Sequence, residues 1–198
     1  METVIEYISN NALQLLGTAV GLLYLIQEIR ASKWMWVSSI IMPIISLFVY
    51  FKAGLYADFA IDIYYVIIAI YGFCAWQWGS GKKGVELPVA RTPLKLWPLL
   101  LAAAIALFFA IRYVLMNWTD STVPNADSFT TTLSIIAMVM LSRKWIEQWW
   151  LWFVVDAASV GLYIYKDIHA YALLYAFYTI MAVYGYFRWL KMMKQTKQ

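Results

Sequence analysis

The feature that most limits the fold is an internal repeat. Shifted against itself by 113 residues, the chain matches without a gap: Arg30 falls on Arg143, Trp36 on Trp149, Tyr50 on Tyr163, Tyr71-Gly72 on Tyr184-Gly185, and Trp76 on Trp189. Most of these matches involve Trp, Tyr or Gly, so chance is a poor account of them. A chain written twice folds as two like halves, and each copy here is mostly apolar.

Of the 198 residues, 64% are hydrophobic and 13% charged, with mean hydropathy +0.67. Soluble domains run at about 45–50% apolar and about 25% charged. The chain therefore reads as an integral membrane protein with no room for a second soluble domain. A helix needs about 20 apolar residues to cross a roughly 30 Å hydrocarbon core. Seven stretches approach or meet that length: 12–29, 34–51, 55–78, 94–116, 127–141, 145–165 and 169–190. Residues 1–10 form a short mixed segment, expected as an interfacial helix or a frayed end. The longest loop, 79–93, is rich in Gly, Lys and Pro. The expected fold is an all-α membrane protein of seven transmembrane helices in one domain over residues 1–198. Its first three-helix copy is 12–78, its linker helix 94–116 and its second copy 127–190. This 3+1+3 order gives both copies the same orientation, a parallel repeat about an axis along the membrane normal.

Charge fixes the expected topology. Twelve of the fifteen Lys and Arg residues fall on one side of such a chain, leaving Lys52, Arg112 and Lys166 on the other. The positive-inside rule then places the N-terminus outside and the C-terminus in the cytoplasm of a bacterial inner membrane. The +4 net charge is this topology signal, not a footprint for nucleic acid. Glu2 and Glu6, with no early basic residue, argue against a cleaved signal peptide.

The stretch 145–165, WIEQWWLWFVVDAASVGLYIY, carries an acid near its middle. A charge at that depth costs about 2.5–3.5 kcal/mol on insertion scales and faces a packed interior or a wet pathway. Trp149, Trp152 and Asp156 are spaced to share one helical face. Indole faces with a carboxylate suit a flat cation, through the ring quadrupole and direct charge attraction. The plain structural alternative has the tryptophans packing and Asp156 bonding a neighbouring helix. Asp62 and Tyr65 share a face of the third span, and Tyr178 lies on the seventh. These three join the candidate site, with helix-to-helix hydrogen bonding as the alternative for Asp62. Asp156 falls on Pro43 in the repeat and Asp62 on Tyr175, so the polar positions are unique to each half. Asymmetric polar residues on a symmetric frame suit one asymmetric small molecule.

The matching halves and the motif W149-x-x-W152-x-x-x-D156 resemble the PnuC family of vitamin transporters, whose pattern has Asn or Asp at the last position. The segments R-K-W-I-E-Q-W (143–149), K-A-G-L-Y-A-D (52–58) and I-Y-G (70–72) look like that family too. The resemblance covers nearly the whole chain. It implies a fold like a full-length SWEET sugar transporter and facilitated uptake of nicotinamide riboside, trapped inside by a cytoplasmic kinase. It implies contact of Trp149, Trp152 and Asp156 with substrate, and a homo-oligomer, with a trimer as the suggested state. Asp62, Tyr65 and Tyr178 rest on the residue reading alone. Thiamine is the alternative substrate, because its thiazolium suits the same groups. Asp in place of Asn at 156 leans towards a cation and away from neutral riboflavin.

No cofactor or metal is expected. Cys74 is the one cysteine and His169 the one histidine, which leaves no internal disulfide and no multi-cysteine or paired-histidine metal site. The phosphate-cradling G-x-x-x-x-G-K-[ST] motif is absent, so transport is not driven by ATP hydrolysis in this chain. Uniport is favoured over proton coupling, because neither candidate acid has a second acid beside it, although a buried carboxylate can carry a proton. An intramembrane enzyme would need a nucleophile–base pair or a metal cluster. A non-transporting structural subunit would have no use for an acid at the depth of Asp156.

Overall fold

The computed structural model describes residues 12–53, 56–80, 84–119, 121–167 and 169–195. The expected interfacial segment at 1–10 lies outside them. Seven α-helices follow one another: α1 Ala12–Ile29, α2 Met35–Ala53, α3 Tyr56–Trp78, α4 Trp97–Trp118, α5 Pro124–Ser142, α6 Gln148–Tyr165 and α7 His169–Gln195. A 3-10 turn, Leu94–Leu96, leads into α4. Two segments, Ile61–Trp78 and Leu94–Trp118, are long and apolar enough to cross a membrane by themselves. The chain divides into two compact units, Met1–Leu87 and Pro88–Gln198.

In the first unit, α1 ends in a left-handed turn. Ala31 has φ 51°. Its N–H donates to the Glu28 carbonyl at 2.8 Å, and the Ser32 N–H to the Gln27 carbonyl at 2.9 Å. That pair of bonds is a Schellman stop, which satisfies carbonyls left open at a helix end. Glycine is the usual residue there, since it tolerates positive φ. Trp36 then starts α2 and is fully buried, edge-on to Trp76 of α3 with centroids 5.7 Å apart at 86°. Gly72 makes room for it: a Cβ there would collide with the Trp36 indole. Ser38 donates to Gln27 at 2.8 Å, tying α2 to α1. Lys33 donates to Gln77 at 2.5 Å and pairs with Glu86 at 3.2 Å.

The second unit repeats this turn and its indole lock position for position. Lys144 has φ 52°. Its N–H donates to the Leu141 carbonyl at 2.9 Å, and that of Trp145 to the Met140 carbonyl at 3.0 Å. Trp149 starts α6 edge-on to Trp189 of α7, again 5.7 Å apart, at 88°. Gly185 makes room for the Trp149 ring as Gly72 does for Trp36. Pro43 sits inside α2 without ending it, while the matching position in α6 is Asp156.

The sixth helix begins later than the sequence suggests. Trp145, Ile146 and Glu147 belong to a turn rather than to α6. The Ala90 N–H donates to the Lys144 carbonyl at 3.0 Å, and the Ile146 N–H to the Ala90 carbonyl at 2.9 Å. Glu147 accepts from the Thr92 N–H at 2.8 Å and the Thr92 hydroxyl at 2.9 Å, and pairs with Arg91 at 3.3 Å. Segment 90–92 therefore clips the α5–α6 turn. The fifth helix starts earlier than expected, at Pro124, because proline fits a helix's first position, where its missing N–H costs nothing. The linker helix α4 has no buried residue, as suits a helix facing lipid.

Candidate functional site

Helices α6 and α7 pack along facing stripes. On α6 the stripe is Trp149, Trp152, Asp156, Ser159 and Tyr163; on α7 it includes Tyr171, Tyr175, Tyr178 and Trp189, all at helical spacing. Towards the N-terminal end of α6, the Trp149–Trp189 pair closes the stripe. At its middle is Asp156, only 7% exposed. Both Tyr175 and Tyr178 lie within electrostatic reach of this carboxylate. Among the described residues no Lys, Arg or His pairs with it. Ring faces attract positive charge, and a buried carboxylate is costly without a partner.

Sequence-expected residues fall into three positions. Trp152 stands one turn from Asp156, half-buried, and its indole N–H is buried without a hydrogen-bond partner. Such a donor costs about 1–3 kcal/mol while unsatisfied. Trp149 is 2% exposed and its N–H is likewise without a partner. Its repeat mate Trp36 shares both properties, and that likeness ties Trp149 to the scaffold. Trp152 has no such counterpart, because its mate is Ser39. Tyr178 joins Asp156 as described.

Asp62 and Tyr65 belong to the first unit. They lie within electrostatic reach of each other. Tyr65 also faces Tyr64 at 5.6 Å and interacts with Tyr24, whose hydroxyl is hydrogen-bonded to Glu28. Glu28 is buried at the end of α1. Four polar groups thus follow one another: Glu28, Tyr24, Tyr65 and Asp62. Glu28 and Tyr24 are absent from the sequence reading, although their spacing of four was visible there. Tyr163 and Tyr175 stand in the sequence only as repeat positions; the one signal for Tyr175 is that the repeat sets it against Asp62, while Tyr163 simply matches Tyr50. His169 is exposed and sits 2.9 Å from Asp167, away from any such group. No cluster of metal-ligating residues occurs among the described residues.

Seven apolar helices in a 3+1+3 order, with a carboxylate set among aromatic rings deep in one helix pair, define a small-molecule carrier of the membrane. The chain belongs to the nicotinamide mononucleotide transporter family, whose model matches residues 11–191. It is a transporter and not an enzyme, and its family places it in the bacterial inner membrane. It is 24% identical over 166 residues to the nicotinamide riboside transporter PnuC of Escherichia coli, covering 72% of this chain and 70% of that one. It is 26% identical over 164 residues to the PnuC of Neisseria mucosa, covering 76% and 62%. It is 25% identical over 182 residues to the riboflavin/roseoflavin transporter RibM of Streptomyces davaonensis, covering 88% and 83%. A crystal structure of the vitamin B3 transporter PnuC shares the fold with a TM-score of 0.72 at 22% identity, over 97% of this chain and 86% of that one.

Proposed function

We propose that the chain carries nicotinamide riboside into the cell by facilitated diffusion. The observation that carries this reading is Asp156, a buried carboxylate ringed by Tyr175 and Tyr178 with the Trp152 indole one turn away. A pyridinium ring supplies the charge the acid lacks and the flat face the rings favour; cation–π contact of this kind is worth up to about 2 kcal/mol when desolvated. In this reading Trp152, Asp156 and Tyr178 touch the substrate, Trp149 forms the floor beneath them, and Asp62 with Tyr65 serves the first half. The N-terminus faces outward and the C-terminus faces the cytoplasm, as the Lys and Arg distribution supports. A cytoplasmic kinase keeps the gradient inward by phosphorylating what arrives. The protein works as a homo-oligomer, with a trimer as the first state to test. The repeat divides it at 12–78, 94–116 and 127–190.

The test is ligand titration of the purified protein by tryptophan fluorescence, with nicotinamide riboside, thiamine and riboflavin in separate runs. Saturable quenching by nicotinamide riboside, weakened strongly in Asp156→Ala, supports the reading. Binding of thiamine alone moves the function to thiamine uptake on the same site. Binding of riboflavin alone, unaffected by Asp156→Asn, overturns the cationic reading in favour of the RibM-like one.

A further inference from the structure

Beyond Asp156 the stripe continues as a stack of tyrosines, of which the binding reading uses Tyr175 and leaves Tyr163 and Tyr171 without a role. Tyr163 of α6 lies against Tyr171 of α7 with centroids 5.3 Å apart at 28°, and against Tyr175 at 5.2 Å and 23°. The hydroxyls of Tyr163 and Tyr175 are hydrogen-bonded to each other. Tyr175 in turn meets Tyr178 edge-on at 5.9 Å and 80°. The series runs from Tyr171, 45% exposed, to the rings beside Asp156. It thus links the more exposed end of the helix pair, next to the Lys166 turn, with the buried acid.

Scaffold packing does not demand the rings of Tyr171 and Tyr175, whereas Tyr163 repeats Tyr50 and is shared with the frame. The repeat mates of Tyr171 and Tyr175 are Asp58 and Asp62, so the same helix positions are built without aromatics in the other half. Leucine or phenylalanine would fill an apolar interior with no hydroxyl to satisfy. Near-parallel stacking has a chemical consequence. A flat aromatic ring that enters the stack replaces each ring–ring contact it breaks, whereas an aliphatic molecule leaves it broken. A flat cation gains further, because ring faces attract positive charge.

We propose that Tyr163, Tyr171 and Tyr175 are specificity-determining residues that admit flat aromatic rings to the Asp156 site by exchange of stacking partners and hold back non-aromatic solutes of similar size and charge. This inference rests on the reading of Asp156 as the substrate site and names the filter in front of it.

The experiment uses full-length protein in proteoliposomes and follows two solutes: nicotinamide riboside, and choline as a non-aromatic cation. The variants are Tyr163→Ala, Tyr163→Phe and Tyr171→Ala, the last at a half-exposed ring whose loss the fold tolerates. In Tyr163→Ala and Tyr171→Ala the initial rate for nicotinamide riboside falls about tenfold and choline leak rises about tenfold, a change on the scale of one lost ring contact. Equilibrium affinity for nicotinamide riboside stays within about twofold, since the deep site is intact. Tyr163→Phe restores most of the rate and the exclusion, because the stacking face remains. Unchanged choline exclusion in both alanine variants overturns the proposal, as does a phenylalanine variant no better than alanine. Choline leak reads the filter whichever vitamin binds. Failure of nicotinamide riboside to bind wild-type protein therefore strikes the substrate reading alone.

Discussion

The α1–α2 turn and the α5–α6 turn carry the same helix-stop hydrogen bonds, a left-handed residue at the same position and the same Trp–Trp–Gly lock. One helical turn deeper the halves part. Trp152 and Asp156 stand where the first half has Ser39 and Pro43, and Tyr171 and Tyr175 where it has Asp58 and Asp62. What the duplication preserved is the end of the helix bundle that fixes how three helices meet. What it released lies further along the helices, at positions such as Trp152, Asp156, Tyr171 and Tyr175, although Tyr50 and Tyr163 still match there. A buried indole packed against a glycine tolerates no change in size, while the positions further along carry no such constraint from the lock.

The lock offers the largest test of this likeness. Trp36→Ala and Trp149→Ala should each cost about 3–5 kcal/mol, the range for deleting a fully buried large aromatic. Thermal unfolding in detergent should show losses of similar size at the two sites. A Trp149 variant that keeps its stability but loses ligand would break the comparison and move Trp149 from floor to substrate contact.

Asp156→Ala comes next and should separate the halves. Loss of a charge-assisted contact worth about 1.5–3 kcal/mol weakens nicotinamide riboside binding roughly tenfold to hundredfold. Stability should hold or rise, since removing a buried charge relieves its desolvation. Pro43→Ala, at the matching position, should leave affinity unchanged. Titration of both variants decides it, and equal losses of affinity would place the substrate against both halves.

Glu147 has no counterpart in the first half, where its mate is Trp34. Glu147→Ala strips the buried Thr92 N–H and hydroxyl of their acceptor. The cost should be about 1–3 kcal/mol. In a chain of this size that is a fall in Tm of about 2–4 °C per kcal/mol. An unchanged Tm would show that the 90–92 clip adds nothing to the second unit.

Much of this was legible in the sequence, and the limits have physical causes. Span number and order followed from apolar length, and the repeat from Trp, Tyr and Gly at one offset. Segment 145–147 misled, because Trp and Ile look the same whether they enter lipid or brace a turn. Its pairing with Ala90 is a contact across 55 residues that no local pattern announces. The tyrosine stack was hidden for a different reason: tyrosines are common in this chain, and only packing shows which of the 15 face each other. The end of α1 at Ile29 agrees with the sequence, where Arg30 and Lys33 close the apolar run, but its left-handed turn gave no sign, since the residue at positive φ is alanine where glycine is the usual mark.

That alanine provides the finest test, because the two turns share a backbone but not a side chain. A non-glycine residue at positive φ costs about 1 kcal/mol. Ala31→Gly removes the strain and loses only a methyl group, so Tm should rise by about 2 °C. Lys144 stands at the same φ, yet its side chain is 4% exposed and engaged with neighbours. Lys144→Gly relieves the same strain but strips a buried, partnered side chain from the α5–α6 turn, and that loss outweighs the relief. Its Tm should fall. Opposite signs at two positions with one backbone geometry would show that the second turn is held by its side chain and the first by its hydrogen bonds. A rise at both would mean that Lys144 adds nothing there, and that the two turns are alike in energy as well as in shape.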